Sequence, residues 1–190
     1  MINATFIKSL KAAYREANGE RRQIGSLANI VLHDSKRVIF ALHRGELKDA
    51  KAQLEGIEKI LKELSQKFGV GRLNEEGSYH AAIEEYVEAK LLYNVLTAKK
   101  IDTIKGLKLP PVAYLGGICD LLGEMVRLAT NEGAKGNWHR VSEIKKEMNE
   151  IMATLIEFDF TGYLRTKYDQ ARNHLRKVEQ MEYEVKLRQK

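Results

Sequence analysis

The stretch PVAYLGGICDLLGEMVRLAT, residues 111–130, decides the fold. Pro111 suits the first turn of a helix, where its missing N–H costs nothing. Beyond it Tyr114, Ile118, Leu121, Met125 and Leu128 recur at alternating intervals of four and three, the stripe of a helix packed on one side. Asp120 and Glu124, four apart, lie one turn from each other at the edge of that stripe. Gly116, Gly117 and Gly123 lie near one face, where either a neighbouring helix or a phosphate can come close.

Helical periodicity extends outward from this segment in both directions, and nothing reads as strand-turn-strand. A first helix is expected after Asn3, a good N-cap, running toward Asn18-Gly19, which either ends it or is tolerated. A second covers 20–44, with Ile24, Leu27, Val31, Val38 and Leu42 as its stripe and Gly45 as its stop. A third covers 46–68, up to Gly69-Val70-Gly71, and an acidic fourth covers 75–98. After the lysine-rich loop and the decisive helix come a sixth over 138–158 and a last over 162–187. In the last, Leu164, Tyr168, Ala171, Leu175 and Val178 form a packing seam. The expected fold class is all-α, a single seven-helix bundle, with residues 1–190 as one domain.

Of the 190 residues 44% are hydrophobic, enough for a real core. Cys119 is the only cysteine, which rules out a disulfide within the chain and favours a reducing compartment. No apolar run approaches the roughly 18 residues of a membrane span, and residues 1–10 lack the pattern of a signal peptide. A soluble cytoplasmic protein with no membrane partner is expected. The net charge of +6 favours polyanions, but it is unevenly spread. Both ends are basic, while residues 73–98 carry Glu75, Glu76, Glu84, Glu85 and Glu88 against Lys90 alone.

Within that acidic segment Glu85 and Glu88 sit three apart and share a helix face. Together with Asp120 and Glu124 they could surround a hard divalent cation, Mg²⁺ or Mn²⁺, with oxygen ligands, since clustered carboxylates repel unless protonated or offset. The plainer alternative is salt links to Lys90, Arg127 or other surface cations. A ferritin-like di-iron site is disfavoured, because no histidine has a glutamate three residues before it. An all-α nucleoside triphosphate pyrophosphatase stays open, although its usual second pair is Glu-x-x-Asp rather than Asp-x-x-x-Glu.

The segments SKRVIFALHR at 35–44, EYVEA at 85–89 and PVAYLGGICDLLGEMVR at 111–127 resemble the translin and translin-associated factor X family, in the same order along the chain. The similarity covers most of the chain and is closer to factor X. The chain lacks the long insertion of eukaryotic factor X, as an archaeal or other microbial homologue would. The resemblance implies a seven-helix translin-type bundle and a homo-oligomer, an octamer closed around nucleic acid. It also implies a metal-dependent endoribonuclease, with Glu85, Glu88 and Asp120 as catalytic metal ligands and Glu124 completing the site. Lys36 and Arg127 match positions associated with RNA contact.

The flank of the second helix carrying His33, Lys36, Arg37, Phe40, His43 and Arg44 could hold phosphates. Phe40 could stack a base, but the favoured reading places it in the core. Arg127, three residues after Glu124, fits an intrahelical ion pair as well as a phosphate contact. His80 is read as an exposed helix-end histidine, Cys119 as a small buried hydrophobe and Trp138 as a packing or subunit-contact anchor. The leading expectation is a Mg²⁺- or Mn²⁺-dependent endoribonuclease that binds single-stranded RNA, and single-stranded DNA as a second ligand. Lys36, Arg37, Arg44 and Arg127 are its expected nucleic-acid contacts. The competing expectation is a non-catalytic single-stranded RNA- or DNA-binding protein.

Overall fold

The computed structural model describes residues 2–188, which form six helices and, among the described residues, no strand. They are α1 (Ala4–His43), α2 (Leu47–Leu73), α3 (Gly77–Leu96), α4 (Pro111–Ala134), α5 (Trp138–Leu155) and α6 (Gly162–Arg188). None of these is long and apolar enough to cross a membrane.

The expected count of seven is corrected to six, because the first two expected helices are one continuous α1 of 40 residues. Asn3 caps it as expected, its Oδ1 accepting from the backbone N–H groups of Thr5 and Phe6 at 2.9 and 3.2 Å. Gly19 does not break it. A glycine inside a helix costs about 1 kcal/mol relative to alanine. Arg72 of α2 spans the junction, donating to the Glu20 carboxylate at 3.0 Å and to the Ala17 carbonyl at 3.5 Å. The true stop is Gly45, whose φ of 80° only glycine adopts freely. Gly69 interrupts α2 with φ 74° and ψ 152°, yet the chain resumes a further turn to Leu73.

The bundle is built around α3, which packs between α1 and α4 and also touches α2. Tyr79, Ile83, Tyr86, Val87, Leu91 and Leu92 bury it on most of its circumference. On its far side α4 packs against α5 and α6, and these two pack on each other. The α6 seam forms as expected at Tyr168, Ala171, Leu175 and Val178. The first four turns of α1 stand clear of the bundle, leaving Phe6, Leu10 and Tyr14 exposed at 58%, 52% and 69%.

Helices α3 and α4 approach closely because Gly116 and Gly117 sit at their crossing. A Cβ on Gly117 would lie 2.7 Å from Val87 Cγ1 and 2.9 Å from the Glu84 carbonyl oxygen. At Gly116 it would fall on the Glu84 carboxylate.

Two substitutions separate these glycines by chemical denaturation. Gly117→Ala is expected to cost about 1–3 kcal/mol, since backbone and Val87 must give way. Gly19→Ala meets nothing within 4 Å in a helical conformation, so it is expected to gain up to about 1 kcal/mol. Loss of stability at position 19 would mean that the chain turns there after all.

Candidate active site

The crossing sets two runs of acids against each other. Helix α3 contributes Glu84, Glu85 and Glu88, and α4 contributes Asp120 and Glu124 one and two turns beyond Gly117. The four expected acids are brought together: Asp120 and Glu124 each disfavour ionisation of both Glu85 and Glu88. Glu88 is buried, with 9% of its surface exposed.

Two further helices supply the countercharges. Lys167 of α6 donates to Glu84 Oε1 at 2.8 Å and to Asp120 Oδ2 at 2.5 Å. Tyr163, one turn earlier, donates to the same Glu84 oxygen. From α1, His43 Nε2 meets Glu124 Oε2, while the other ring nitrogen of His43 is buried without a partner among the described residues. Lys36 has no ion-pair partner among the described residues, but its charge favours the ionised form of Glu85. Lys90, offered by the sequence as a salt link for the acids, instead pairs with Glu58 at 2.7 Å, alongside the Tyr86 hydroxyl.

Burial dominates the electrostatics. It pushes Glu88 up to about 9, with Asp120, Glu85 and Glu124 adding repulsion. Burial also raises Glu85 and Asp120, opposed by Lys36 at the first and Lys167 at the second. Lys167 moves above its ordinary value: burial pulls it down, but its bonds to Asp120 and Glu84 outweigh that. Cys119 is buried and pushed up to about 12, mainly by desolvation, as suits an inert core thiol.

The donor set fits a hard divalent cation in its chemistry: several oxygen donors held close enough to oppose one another's charge. In the conformation seen, Asp120 turns to Lys167 and Glu124 to His43. No three acid, histidine or cysteine side chains among the described residues cage a single point. A cleft of about 650 Å³ lies elsewhere, between the segment after α3 and helices α4 and α5, lined by Ile101, Ile118, Ile151 and Phe158.

The basic flank of α1 is partly committed. Arg37 pairs with Asp34 at 2.9 Å, and Arg44 grips Glu46 with two bonds of 2.6 and 2.7 Å. Arg127 lies 3.6 Å from Glu124, the intrahelical pair allowed by its spacing. Its guanidinium carbon also sits 5.0 Å from the centroid of the Phe40 ring. The favoured placement of Phe40 in the core is therefore corrected. Val38, Ile39, Ala41 and Leu42 take the buried side of α1, and Phe40 falls on the polar flank, 53% exposed. His80 is half-buried rather than exposed, its Nε2 bonded to the Asn74 carbonyl at 2.9 Å. Trp138 packs on α4, with its ring 3.1 Å from where a Cβ on Gly133 would stand.

Sequence reasoning missed Glu84, Tyr163 and Lys167 as members of the site. A signal existed for the last two, since a Tyr-x-x-x-Lys spacing puts both one turn apart on α6, beside the seam that packs on α4.

Comparison with known proteins came out consistently. The Translin family profile matches residues 19–189. Translin-associated protein X of Mus musculus is 21% identical, covering 95% of this chain and 77% of its own. Its homologue in Schizosaccharomyces pombe is 26% identical over 95% of this chain and 87% of its own. Among solved structures, an AfC3PO–duplex RNA complex superimposes with a TM-score of 0.84 at 21% identity, over 95% of this chain and 96% of that one. Apo-NeC3PO gives 0.81 at 23% identity, over 95% and 96%. At these identities the structures establish a shared fold.

The raised Glu88 yields a stability prediction. The side chain keeps its proton to about 9 when folded but releases it near 4.5 when unfolded, so the folded chain binds more protons between these values. Stability contributed by protonated Glu88 is present below about 4.5 and lost as pH rises to about 9. Thermal melts in EDTA should therefore show Glu88→Gln melting a few degrees above the wild type near pH 8, about 2–4 °C per kcal/mol, with the gap closing near pH 4. A wild type more stable than the variant at pH 8 would show Glu88 ionised and paired.

Proposed function

The chain belongs to the Translin family, and on that premise we propose that it is a metal-dependent endoribonuclease acting on single-stranded RNA. The single observation that carries the proposal is the meeting of half-buried Glu85, Asp120 and Glu124 with buried Glu88, where burial and mutual repulsion raise Glu88 to about 9. A stable core would not gather acids that repel one another without a return elsewhere.

In this reading Glu85, Glu88, Asp120 and Glu124 would hold Mg²⁺ or Mn²⁺, which when bound supplies Lewis acidity toward a phosphate oxygen and an activated water. The chain's own groups do the rest. Lys36 and Arg127 flank the acids from α1 and α4 and attract the phosphate backbone, with Arg37 and Arg44 further along the α1 flank. Lys167 fixes the orientation of Asp120 and Glu84, and His43 that of Glu124. AfC3PO, which shares the fold, is seen with duplex RNA, and this supports an RNA ligand here.

A homo-oligomer, an octamer, belongs to the same proposal. The exposed stripe of Phe6, Leu10 and Tyr14 on the free first turns of α1 is left uncovered by the described residues and is the kind of apolar face that a second copy covers. Light scattering should give eight chain masses for the wild type and a smaller species for the Phe6→Asp, Leu10→Asp double variant. A wild-type monomer at micromolar concentration would end this part.

One observation favours a second reading, a binding protein without turnover: Lys167 already offsets Glu84 and Asp120. Labelled single-stranded RNA incubated with Mn²⁺ and then with EDTA decides between them. Cleavage should stop in EDTA and fall at least the roughly 100-fold typical of a disrupted metal site in Glu88→Ala or Asp120→Ala. Equal cleavage by wild type and both variants would remove the acids from catalysis, and tight binding with no cleavage would leave the binding protein.

A further inference from the structure

We propose that Phe40, braced by Arg127, is a stacking platform for one nucleobase of a bound single strand, and that it sets which phosphodiester lies against the carboxylates. The proposal rests on the nucleic-acid reading above and adds to it the group of the ligand that this face recognises. Its basis is the placement of an aromatic ring where a soluble helix would ordinarily carry a polar residue. Lys36, Phe40 and Arg44 follow one another at intervals of four along α1, so each lies one turn above the last on a single strip. The two ends of the strip are cations, and its middle is a phenyl ring left 53% exposed. The ring is not there for want of room inside. Val38, Ile39, Ala41 and Leu42 already fill the buried side of the same turn.

Three contacts tie this ring to the acids. The guanidinium of Arg127 sits 5.0 Å from the ring centroid, a cation–π distance that crosses from α4 to α1. The same guanidinium lies 3.6 Å from Glu124, and Glu124 meets His43, three residues beyond Phe40. One turn before the ring on α1, Lys36 is near enough for its charge to act on Glu85. A base stacked on Phe40 or on the Arg127 plane thus has a cation for its phosphate at Lys36, one turn along α1, and Glu124 one turn from Arg127 along α4. An aromatic face takes every base and carries no hydrogen-bond code, so the platform favours unpaired strands over any particular sequence. A bare phosphate chain would use the cations and ignore the ring.

The experiment measures binding by fluorescence anisotropy in EDTA, which blocks turnover. It uses a labelled 12-nucleotide oligoadenylate and a ribose-phosphate 12-mer of the same charge without bases. Phe40→Ala and Phe40→Leu should each weaken oligoadenylate binding about 5- to 100-fold and leave the abasic strand unchanged. Phe40→Trp should retain the affinity, with its fluorescence quenched by oligoadenylate and not by the abasic strand. Lys36→Gln should weaken both ligands together. Because the ring is already exposed, melting temperatures of the Phe40 variants report whether folding is intact. If the folded wild type binds oligoadenylate and Phe40→Ala binds it equally well, the platform is overturned while the nucleic-acid reading stands. If Phe40→Ala instead changes the molecular mass by light scattering, the ring belongs to a contact between copies and the proposal fails. No binding of either strand by the wild type would remove the nucleic-acid reading, and the platform with it.

Discussion

The α4 backbone at Gly117 comes so close to the α3 backbone at the Glu84 carbonyl that even a methyl group would stand 2.9 Å from that oxygen. This contact fixes more than a spacing. Gly117 precedes Asp120 by three residues and Glu124 by seven, while Glu84 and Val87 bracket Glu85 and adjoin Glu88. Wherever the two glycines seat on α3, both pairs of acids must therefore face each other. Helix α1 on one side and α6 on the other then have fixed positions from which Lys36, His43, Tyr163 and Lys167 reach the acids.

The arrangement costs the fold stability. A protonated Glu88 in the interior is tolerated, but its ionisation is opposed by burial and by three neighbouring carboxylates. The countercharges are not neighbours in sequence. Lys36 and His43 come from α1 and Tyr163 and Lys167 from α6, so the site draws on α1, α3, α4 and α6 at once. The core of α5 carries no such burden, and its Val141, Ile144 and Met148 are simply buried against the bundle.

How much of this could be read from the sequence depended on whether the signal was local. The helix at 111–130 was legible because its stripe repeats at the helical period and Pro111 marks its start. The acid pairs were legible as spacings. The burial of Glu88 was not, because α3 is apolar on most sides and has no single face against which to judge a carboxylate. The number of helices was misjudged at Gly19, where Arg72, fifty-three residues away, bonds across the junction and keeps α1 whole. Lys167 is ambiguous for the same reason: its spacing from Tyr163 marks one face of α6, but several cations lie on that helix and only the packing of α6 on α4 selects it. Phe40 was a different failure. The positions around it, 38, 39, 41 and 42, already complete a buried arc, and helical geometry leaves residue 40 with Lys36 and Arg44 on the outside.

The unbroken α1 also makes the protein a lever. Thirty residues of one helix separate Leu10, on the free arm, from Phe40, beside the acids, a rod of about 45 Å at 1.5 Å per residue. Tilting such a rod by 1° displaces its far end by about 0.8 Å, more than the roughly 0.5 Å within which a reactive constellation must be held. Whatever grips the arm therefore aims the ring and Lys36, and a contact made thirty residues away would become part of their alignment.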